Sequence, residues 1–542
     1  MPSGRGERGR NGPALLATVV FLVALTGAWV VATPMGGYPD DIDHYLRSAG
    51  VAQGQILGEP NGWLATAPVP AEKACCEAPN PAAAYWVQAG LRTVTVPASR
   101  RPERICCDEV TAQPRIVCGG VVAHEDTRYD TLMGTIEPAG YLVPGLALAV
   151  SGDTPDAFRL SRLASGWLGI LAVALVLAGC ARRPSFGRRL IGLGLATTPM
   201  VFFVLSSGSP NGAETAGAIG VWLAALELTS GPRDRAPAVL WSGFALSGVL
   251  LVTARSLGPM WFAFIVAVVL LLRGGRVLAD RFRVDRLPAL IAAALVVAAG
   301  ITTVLWETLA QPHVAMDRAF AADQLGPSWA DVPRVSHEVI GSFGSLDIPL
   351  PGRIANVWIA MILALGLAAL ATGRWRGRLA IAVVWASSLV IIVGIDAGIM
   401  RQNGFAIQGR HVLALMVGMP LLAADIIRVP RPLAAAARAV PAVLGVVCAT
   451  LQMYAWVYAA SSYLPGVTGR TVTAPFQGVW SVQSPAVPIA LAVAAVIALA
   501  GSMFWGTLPT ATRAPRRSPI RESDLPVEVV GVEGAVLGDR ET

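Results

Sequence analysis

Stretches of about twenty apolar residues recur along the whole chain, and they constrain its fold more than any other feature. We count about twelve, each close to the roughly 20 residues with which a helix crosses a bilayer. They lie roughly at 14–34, 160–180, 190–207, 213–230, 237–254, 259–272, 287–306, 353–372, 379–396, 411–428, 439–460 and 486–507. Because 54% of the 542 residues are hydrophobic and only 14% are charged, the sequence predicts an all-α polytopic membrane protein.

Short arginine clusters between alternate apolar runs predict the orientation, because cytoplasmic loops keep an excess of Lys and Arg. If the N-terminal "RGERGR" is cytoplasmic, the other clusters also lie inside: "ARRPSFGRR", "GPRDR", "RGGRVLADRFRVDR", "TGRWRGR", "RVPRP" and "RAPRR". Both termini are then cytoplasmic, and the protein spans the cell's inner (plasma) membrane. The net charge of +7 is scattered among these clusters and forms no continuous basic face, which argues against a nucleic-acid partner.

The spans divide the chain into segments on the two sides of the membrane. The segments are a cytoplasmic N-terminus at 1–13, a first transmembrane helix at 14–34, an extracytoplasmic loop subdomain at 35–139, a multi-span domain at 140–507 with outer loops near 307–352 and 396–410, and a disordered cytoplasmic tail at 508–542. The first span could instead be a cleaved secretory signal. Its apolar run is longer than the roughly 7–15 residues of a signal, so we favour an uncleaved anchor.

The large outer loop holds five of the seven cysteines, namely Cys75, Cys76, Cys106, Cys107 and Cys118. Outside the cytoplasm cysteines persist mainly as disulfides, and "LRTVTVPA" and "PRIVCGGVVAH" have the β-branched character of strands. A disulfide-containing subdomain with β-structure is therefore predicted, with its pairing left open and one thiol left over. A zinc site that includes His124 is the alternative, but adjacent Cys-Cys pairs lack the spacing that converges two thiolates on one ion.

An acidic cluster directly follows the first span. The stretch "GYPDDIDHYLRSAG" places Asp40, Asp41, Asp43 and His44 at the predicted outer surface. A carboxylate in that position can act as general base toward a hydroxyl that attacks a lipid head group, and partial burial would tune its pKa. The alternative is an ordinary solvated loop.

Three arginines lie on the predicted outer side, although most arginines of the chain lie in the predicted cytoplasmic loops. Arg255 ends a span, and Arg401 and Arg410 precede another one, together with Gln408. Arginine binds phosphate through a planar fork, so these residues are candidates for holding a lipid phosphate. Contact with ordinary phospholipid head groups is the alternative. Glu214 at the start of a span is a further candidate, because ionisable residues at membrane depth tend to face a cavity or a partner.

Several motifs occur in an order that resembles one family. They are "PDDIDHYLRSAGVAQG", "EPAGYLVPGLAL", "RLSRLASGWLGIL", "SPNGAE", "TARSLGP", "IGSFGSLDIPLPG" and "QGRHVLALMVGMP". The set, from about Pro39 to Pro420, resembles bacterial predicted membrane proteins of the domain-of-unknown-function 2142 type. That family is similar in layout to GT-C glycosyltransferases, which use polyprenyl-phosphate sugars. The resemblance implies that Asp40 and Asp41 form the acidic pair, with Asp41 in place of a commoner Glu and Ser345 where Trp is frequent.

These observations favour transfer of a sugar from a polyprenyl-phosphate donor to an envelope glycan or lipid acceptor on the outer face, within the lipid membrane. Asp40, or alternatively Asp41, would be the base, and the outer arginines would stabilise the departing phosphate. Asp43, His44, Glu214 and Gln408 would contact substrate. No metal-ligand set is identified, although a divalent metal remains compatible. The rival functions are a transporter or flippase of lipid-linked sugars and a non-catalytic envelope-assembly protein; no P-loop or internal repeat is present.

Overall fold

The computed structural model describes residues 11–60, 92–97, 123–125, 127–151, 154–230, 235–311, 316–433, 437, 439–463 and 485–507. Most of the predicted N-terminal segment, the predicted tail at 508–542 and all five cysteines of the predicted outer loop lie outside these residues. The predicted disulfides are therefore untested. The two described cysteines, Cys180 and Cys448, are buried and free.

Helices account for most of the described chain. They are α1 (Gly12–Ala32), α2 (Asp41–Ala52), α3 (Leu142–Val150), α4 (Thr154–Cys180), α5 (Phe186–Ala196), α6 (Pro199–Leu205), α7 (Pro210–Ser230), α8 (Ala238–Ala254), α9 (Gly258–Arg273), α10 (Gly275–Val284), α11 (Arg286–Ala310), α12 (Arg318–Ala330), α13 (Val332–Ile340), α14 (Gly352–Thr372), α15 (Trp375–Ile395), α16 (Gly409–Met416), α17 (Gly418–Ile426), α18 (Val440–Ser462) and α19 (Ala486–Thr507).

Every predicted apolar stretch contains helix, but the predicted number of twelve spans is not confirmed. Among the described residues, eight helices are long and apolar enough to cross a membrane, or up to ten if two bent pairs each count as one span. The pairs are α5 with α6, bent by 80°, and α9 with α10, bent by 104°. The other two predicted stretches form α7, which is long enough but is not apolar enough to count, and α8, which has only 17 residues.

Helix α7 lies at the centre of the bundle. Every residue from Pro210 to Thr229 is buried. Glycines allow this close packing: a Cβ added at Gly212 would lie 2.6 Å from the carbonyl oxygen of Val204 on α6, and one at Gly217 would lie 2.7 Å from the amide nitrogen of Leu251 on α8. Substitution at either glycine would force the backbones apart.

Polar and charged side chains gather at the two ends of α7. Near its start are Asn211 and Glu214, and near its end is Glu227, about 20 Å further along the helix axis at 1.5 Å per residue. We call the first of these the Asp40 end of the bundle, because Asp40 lies there, and the other the Arg189 end.

Four charged side chains, three buried and one partly exposed, form a network at the Arg189 end. Arg189 of α5 donates from Nε to Glu227 at 3.1 Å and from Nη1 to Asp425 of α17 at 2.7 Å. Arg273 of α9 pairs with the second oxygen of Asp425. The four charges sum to zero, as buried ions require, and join four helices.

A small subdomain packs beside the Asp40 end. Its antiparallel sheet has the order β1 (Glu59–Pro60), β2 (Arg92–Thr95), β4 (Arg128–Thr131), β3 (Ala123–Glu125). Strand β2 lies within the predicted "LRTVTVPA" segment. Leu46 and Ala49 of α2 pack against Val94 of β2, so that the sheet supports the helix that carries the acidic cluster.

Candidate functional site

The turn between α1 and α2 gives the adjacent aspartates different surroundings. Asp40 has φ 56° and ψ 24°, a left-handed conformation that Asp adopts more readily than most residues. Asp41, in contrast, begins the regular helix α2. The change of backbone conformation between the two residues separates the directions of their side chains.

Asp41 is held in a buried ion pair. Its Oδ2 accepts hydrogen bonds from the guanidinium of Arg162 on α4 and, at 2.8 Å, from the Gly36 amide. Arg162 also donates to the carbonyl oxygens of Thr33 at 2.7 Å and Pro34 at 3.0 Å. Both side chains of the pair are only 2% exposed. This arrangement fixes the turn and leaves Asp41 shielded from solvent.

Asp40, in contrast, remains accessible, with 40% of its side chain exposed. Its Oδ2 accepts a hydrogen bond from Nη2 of Arg410 at 2.8 Å, and Arg410 donates from Nε to Gln408 at 2.7 Å. Burial alone would raise the pKa of Asp40, but the charges of Arg410 and Arg255, together with the hydrogen bond from Arg410, lower it below its ordinary value. Asp40 is therefore an ionised carboxylate that a ligand can reach.

Arg255 is the second guanidinium of the site. It ends α8 and donates to the side-chain oxygen of Asn211. Among the described residues, no carboxylate oxygen lies within 4.0 Å of it, although it interacts electrostatically with Asp40 and Glu214. Glu214 instead accepts a hydrogen bond from Nε1 of Trp261 at 3.0 Å. Arg255 is thus a partly buried cation whose charge no contacting carboxylate neutralises.

His44 and Asp43 connect α2 with its neighbours. Nδ1 of His44 lies 2.8 Å from the hydroxyl of Tyr141, and burial lowers the pKa of His44 to about 3, so the ring is neutral. Asp43 accepts hydrogen bonds from the Thr131 hydroxyl at 2.8 Å and the Leu132 amide at 3.0 Å, and burial raises its pKa to about 7. Asp43 therefore anchors α2 to the sheet.

A family model described as "Predicted membrane protein (DUF2142)" matches residues 22–419. The chain belongs to the DUF2142 family. The family resemblance predicted from the ordered motifs is therefore confirmed, and the matched range contains the site from Asp40 to Arg410. No curated protein and no solved structure gives a significant match.

Within this DUF2142 chain, the structure brings together only part of the predicted site. Asp40, His44, Glu214, Arg255, Gln408 and Arg410 lie in contact or within electrostatic range of one another. Arg401 is engaged elsewhere, since it pairs with Asp396 at 2.8 Å and with Asp331. Its guanidinium is occupied by carboxylates.

Sequence reasoning missed several residues that build the site, although each lies in a motif used to recognise the DUF2142 family. Arg162 lies in "RLSRL", Asn211 in "SPNGAE" and Tyr141 in "EPAGY". His411 lies in "QGRH", within electrostatic range of Arg255 and Arg410, and its buried Nδ1 has no hydrogen-bond partner in the described structure. The motifs are thus separated in sequence but converge in space.

The "IGSFGSLDIPLPG" motif forms a hairpin of β5 (Ser342–Phe343) and β6 (Ile348–Pro349) that reaches the same turn. The hydroxyl of Tyr463 accepts from the Gly344 amide at 2.9 Å and donates to the Gly37 carbonyl oxygen at 2.9 Å. The hairpin therefore supports the turn that carries Asp40. In the part of the chain that the structure describes, no group of three His, Cys, Asp or Glu side chains is placed to hold a metal ion.

We expect the neutral state of His44 to make stability depend on pH. The folded pKa of about 3 lies below the unfolded value of about 6.5, so below pH 6.5 only the unfolded chain binds the extra proton. Stability should therefore fall as pH falls from about 6.5 toward 3, by up to about 1.4 kcal/mol per pH unit. The groups facing the ring are Asp40, Arg410, Arg255 and Tyr141.

The measurement is the melting temperature in detergent at pH 7.5 and 5.5 for the wild type and His44→Gln. Between pH 7.5 and pH 5.5, the melting temperature of the wild type should fall by more than that of His44→Gln. An equal loss in both proteins would show that His44 is not responsible.

Proposed function

We propose that this protein is an integral membrane glycosyltransferase that moves a sugar from a polyprenyl-phosphate donor to an envelope glycan or lipid acceptor on the extracytoplasmic face. The observation that carries this proposal is the juxtaposition of an accessible carboxylate, Asp40, with Arg255, a guanidinium that no carboxylate of the described residues contacts. The first group suits proton removal, and the second suits binding of an anion.

The chemistry assigns a separate task to each group. The acceptor hydroxyl oxygen attacks the anomeric carbon of the donor, and its proton passes to Asp40. The bond between that carbon and the phosphate oxygen breaks, and the phosphate keeps the electron pair. Arg255 and Arg410 stabilise the charge that concentrates on the departing phosphate. A lipid phosphate is already a good leaving group, so the mechanism needs no separate acid. Asp41, paired with Arg162, positions the turn.

The distribution of contacts along the bundle supports an extracytoplasmic site. Asn11, which follows the N-terminal arginine cluster, donates to the carbonyl oxygen of Ala181, which precedes the next cluster. Both lie at the opposite end of their helices from Asp40 and Arg162. If the arginine-rich loops face the cytoplasm, as the distribution of Lys and Arg predicts, both termini are cytoplasmic and the Asp40 end faces outward.

The deciding experiment uses the purified protein in detergent, where no second compartment exists. Radiolabelled polyprenyl-phosphate sugars are presented with extracted envelope acceptors, and labelled product is measured. Formation of labelled product would support the glycosyltransferase hypothesis. Absence of product with all donors, together with movement of the lipid-linked sugar across the membrane of reconstituted vesicles, would favour a transporter instead.

Replacement of Arg255 with Gln is expected to weaken donor binding without unfolding the protein. A charge-assisted hydrogen bond contributes about 1.5–3 kcal/mol, so the apparent KM for the donor should rise at least about tenfold. The folded state should persist because, within the described part of the chain, this side chain donates its hydrogen bond to the neutral amide of Asn211 and pairs with no carboxylate.

The matched control is Arg353→Gln, which removes an exposed arginine at the start of α14. The control should retain the wild-type KM. An unchanged donor KM in Arg255→Gln would remove Arg255 from the phosphate site.

A further inference from the structure

A group of charged side chains next to the site surrounds the segment that leads into Arg410. Asp331 precedes α13, and Arg334 and Glu338 lie on α13; across from them are Asp396 and Arg401. We call these five residues the α13 clasp. We propose that the α13 clasp is a positioning device that holds Arg410 in place for the phosphate of the donor; its role in transfer rests on the proposed function.

The two clasp residues on α13 form hydrogen bonds with the backbone of the segment just before Arg410. Glu338 accepts hydrogen bonds from the Gly409 amide at 2.8 Å and from Nη1 of Arg334 at 2.5 Å. Arg334 in turn donates from Nη2 to the carbonyl oxygen of Ile407 at 3.0 Å. Backbone groups on both sides of Gln408 are therefore fixed by charged side chains from α13.

Asp396 holds the same segment from the other side. It is fully buried and accepts hydrogen bonds from the Ile407 amide at 2.6 Å and from Nε of Arg401 at 2.8 Å. Arg401 also pairs with Asp331, which is hydrogen-bonded to Arg334 at 3.2 Å. The amide and the carbonyl of Ile407 are thus both bound by members of the clasp.

Gly409 permits direct contact between the two backbones. A Cβ at this position would lie 2.5 Å from the carbonyl carbon of Glu338 and 2.5 Å from the amide nitrogen of Val339. The first turn of α16 is therefore packed against α13 without an intervening side chain. Because Arg410 is the next residue, a shift of α13 must move its backbone as well.

The position of α13 is also fixed on its apolar side. Val335, Val339 and Ile340 are buried in the main hydrophobic core, and the hydroxyl of Thr198 donates to the carbonyl oxygen of Val339 at 2.8 Å. One side of the helix thus packs in the bundle while charged side chains reach the Ile407–Gly409 segment. Displacement of a catalytic group by about 1 Å can cost roughly 10²-fold in rate, so the clasp is placed to control activity through Arg410.

The first test does not depend on transfer. Full-length protein in detergent is treated with phenylglyoxal, and modification of Arg410 is measured by mass spectrometry. Glu338→Gln should raise the modification rate of Arg410 at least about threefold, because local opening exposes its backbone segment. Asp323→Asn, an exposed site on α12, removes the same charge and should leave the rate unchanged. Equal modification in wild type and Glu338→Gln would overturn the proposal. If Glu338→Gln does not fold, Glu338→Asp is used under the same criterion.

The second test separates positioning from a general structural role by a double-mutant cycle with Arg410→Lys. We expect Glu338→Gln to raise the donor KM about tenfold in the wild-type background and less than about twofold in the Arg410→Lys background. Equal effects in both backgrounds would overturn the proposal. Failure of the proposed glycosyltransferase function would appear as no transfer by the wild type, and the modification experiment alone would then decide the role of the clasp.

Discussion

Replacing Asp40 with Asn should reduce sugar transfer by at least about 10²-fold, the lower range for general-base catalysis, while the protein remains folded. The amide oxygen of Asn can still accept from Arg410, and Asn tolerates the left-handed backbone found at this position, φ 56°. The variant therefore removes the proton acceptor with little change to its surroundings. The measurement is the initial rate of labelled product formation at saturating donor.

The test needs a control variant and a suitable substitution at Asp40. Asp323→Asn, at an exposed position on α12, should retain the wild-type rate. Asp40→Ala is a poorer choice, because a left-handed residue without a polar side chain adds about 1–2 kcal/mol of strain. Wild-type activity in Asp40→Asn would exclude Asp40 as the base.

Replacing Arg162 with Met should destabilise the protein by about 3–5 kcal/mol, because removal of one partner leaves the Asp41 carboxylate buried without its counter-charge. The same change leaves the carbonyl oxygens of Thr33 and Pro34 without the guanidinium that they bind. The melting temperature in detergent, measured at pH 7.5, should therefore fall by several degrees.

The double variant Arg162→Met, Asp41→Asn should recover part of this loss, because a neutral amide costs less to bury than an unpaired carboxylate. Arg353→Met is the matched control and should melt close to the wild type, since this arginine is exposed. A melting temperature for Arg162→Met equal to that of the wild type would contradict the structural role of the pair.

The sequence was informative about the helices because hydropathy reports directly which segments avoid water. It was less informative about the number of spans. In α7, Glu214 and Glu227 reduce the apolar character of a helix that is nevertheless buried, since protein neighbours such as Trp261 and Arg189 satisfy the glutamates. A hydropathy average treats each glutamate as exposed to the surroundings, because it contains no information on the side chains that bind it in the folded bundle. The break between α5 and α6, in contrast, has a local signal, since α6 begins at Pro199, which lacks a backbone N–H; the distant Gln452 then donates to the carbonyl oxygen of Thr197 at 2.6 Å.

The residue types of the candidate site were also predictable, whereas their pairing was not. Asp40 and Arg410 are 370 positions apart, and only the packed bundle brings them to 2.8 Å. Arg401 and Arg410 lie in the same predicted loop, yet Asp396 and Asp331 bind the first of them and Asp40 binds the second. Asp40 and Asp41 are adjacent, and a single left-handed residue decides which one a ligand can reach.

The charged contacts at the two ends of α7 have a mechanical consequence. At the Arg189 end, ion pairs join α5, α7, α9 and α17; at the other end, Arg162 joins α4 to α2, and Arg410 joins α16 to the turn before α2. Rocking of one half of the bundle against the other would have to separate charged partners at one end or both. Leaving a buried charge without its partner costs about 3–5 kcal/mol, so the buried pairs Arg189–Asp425 and Arg162–Asp41 oppose separation of the helices that they join.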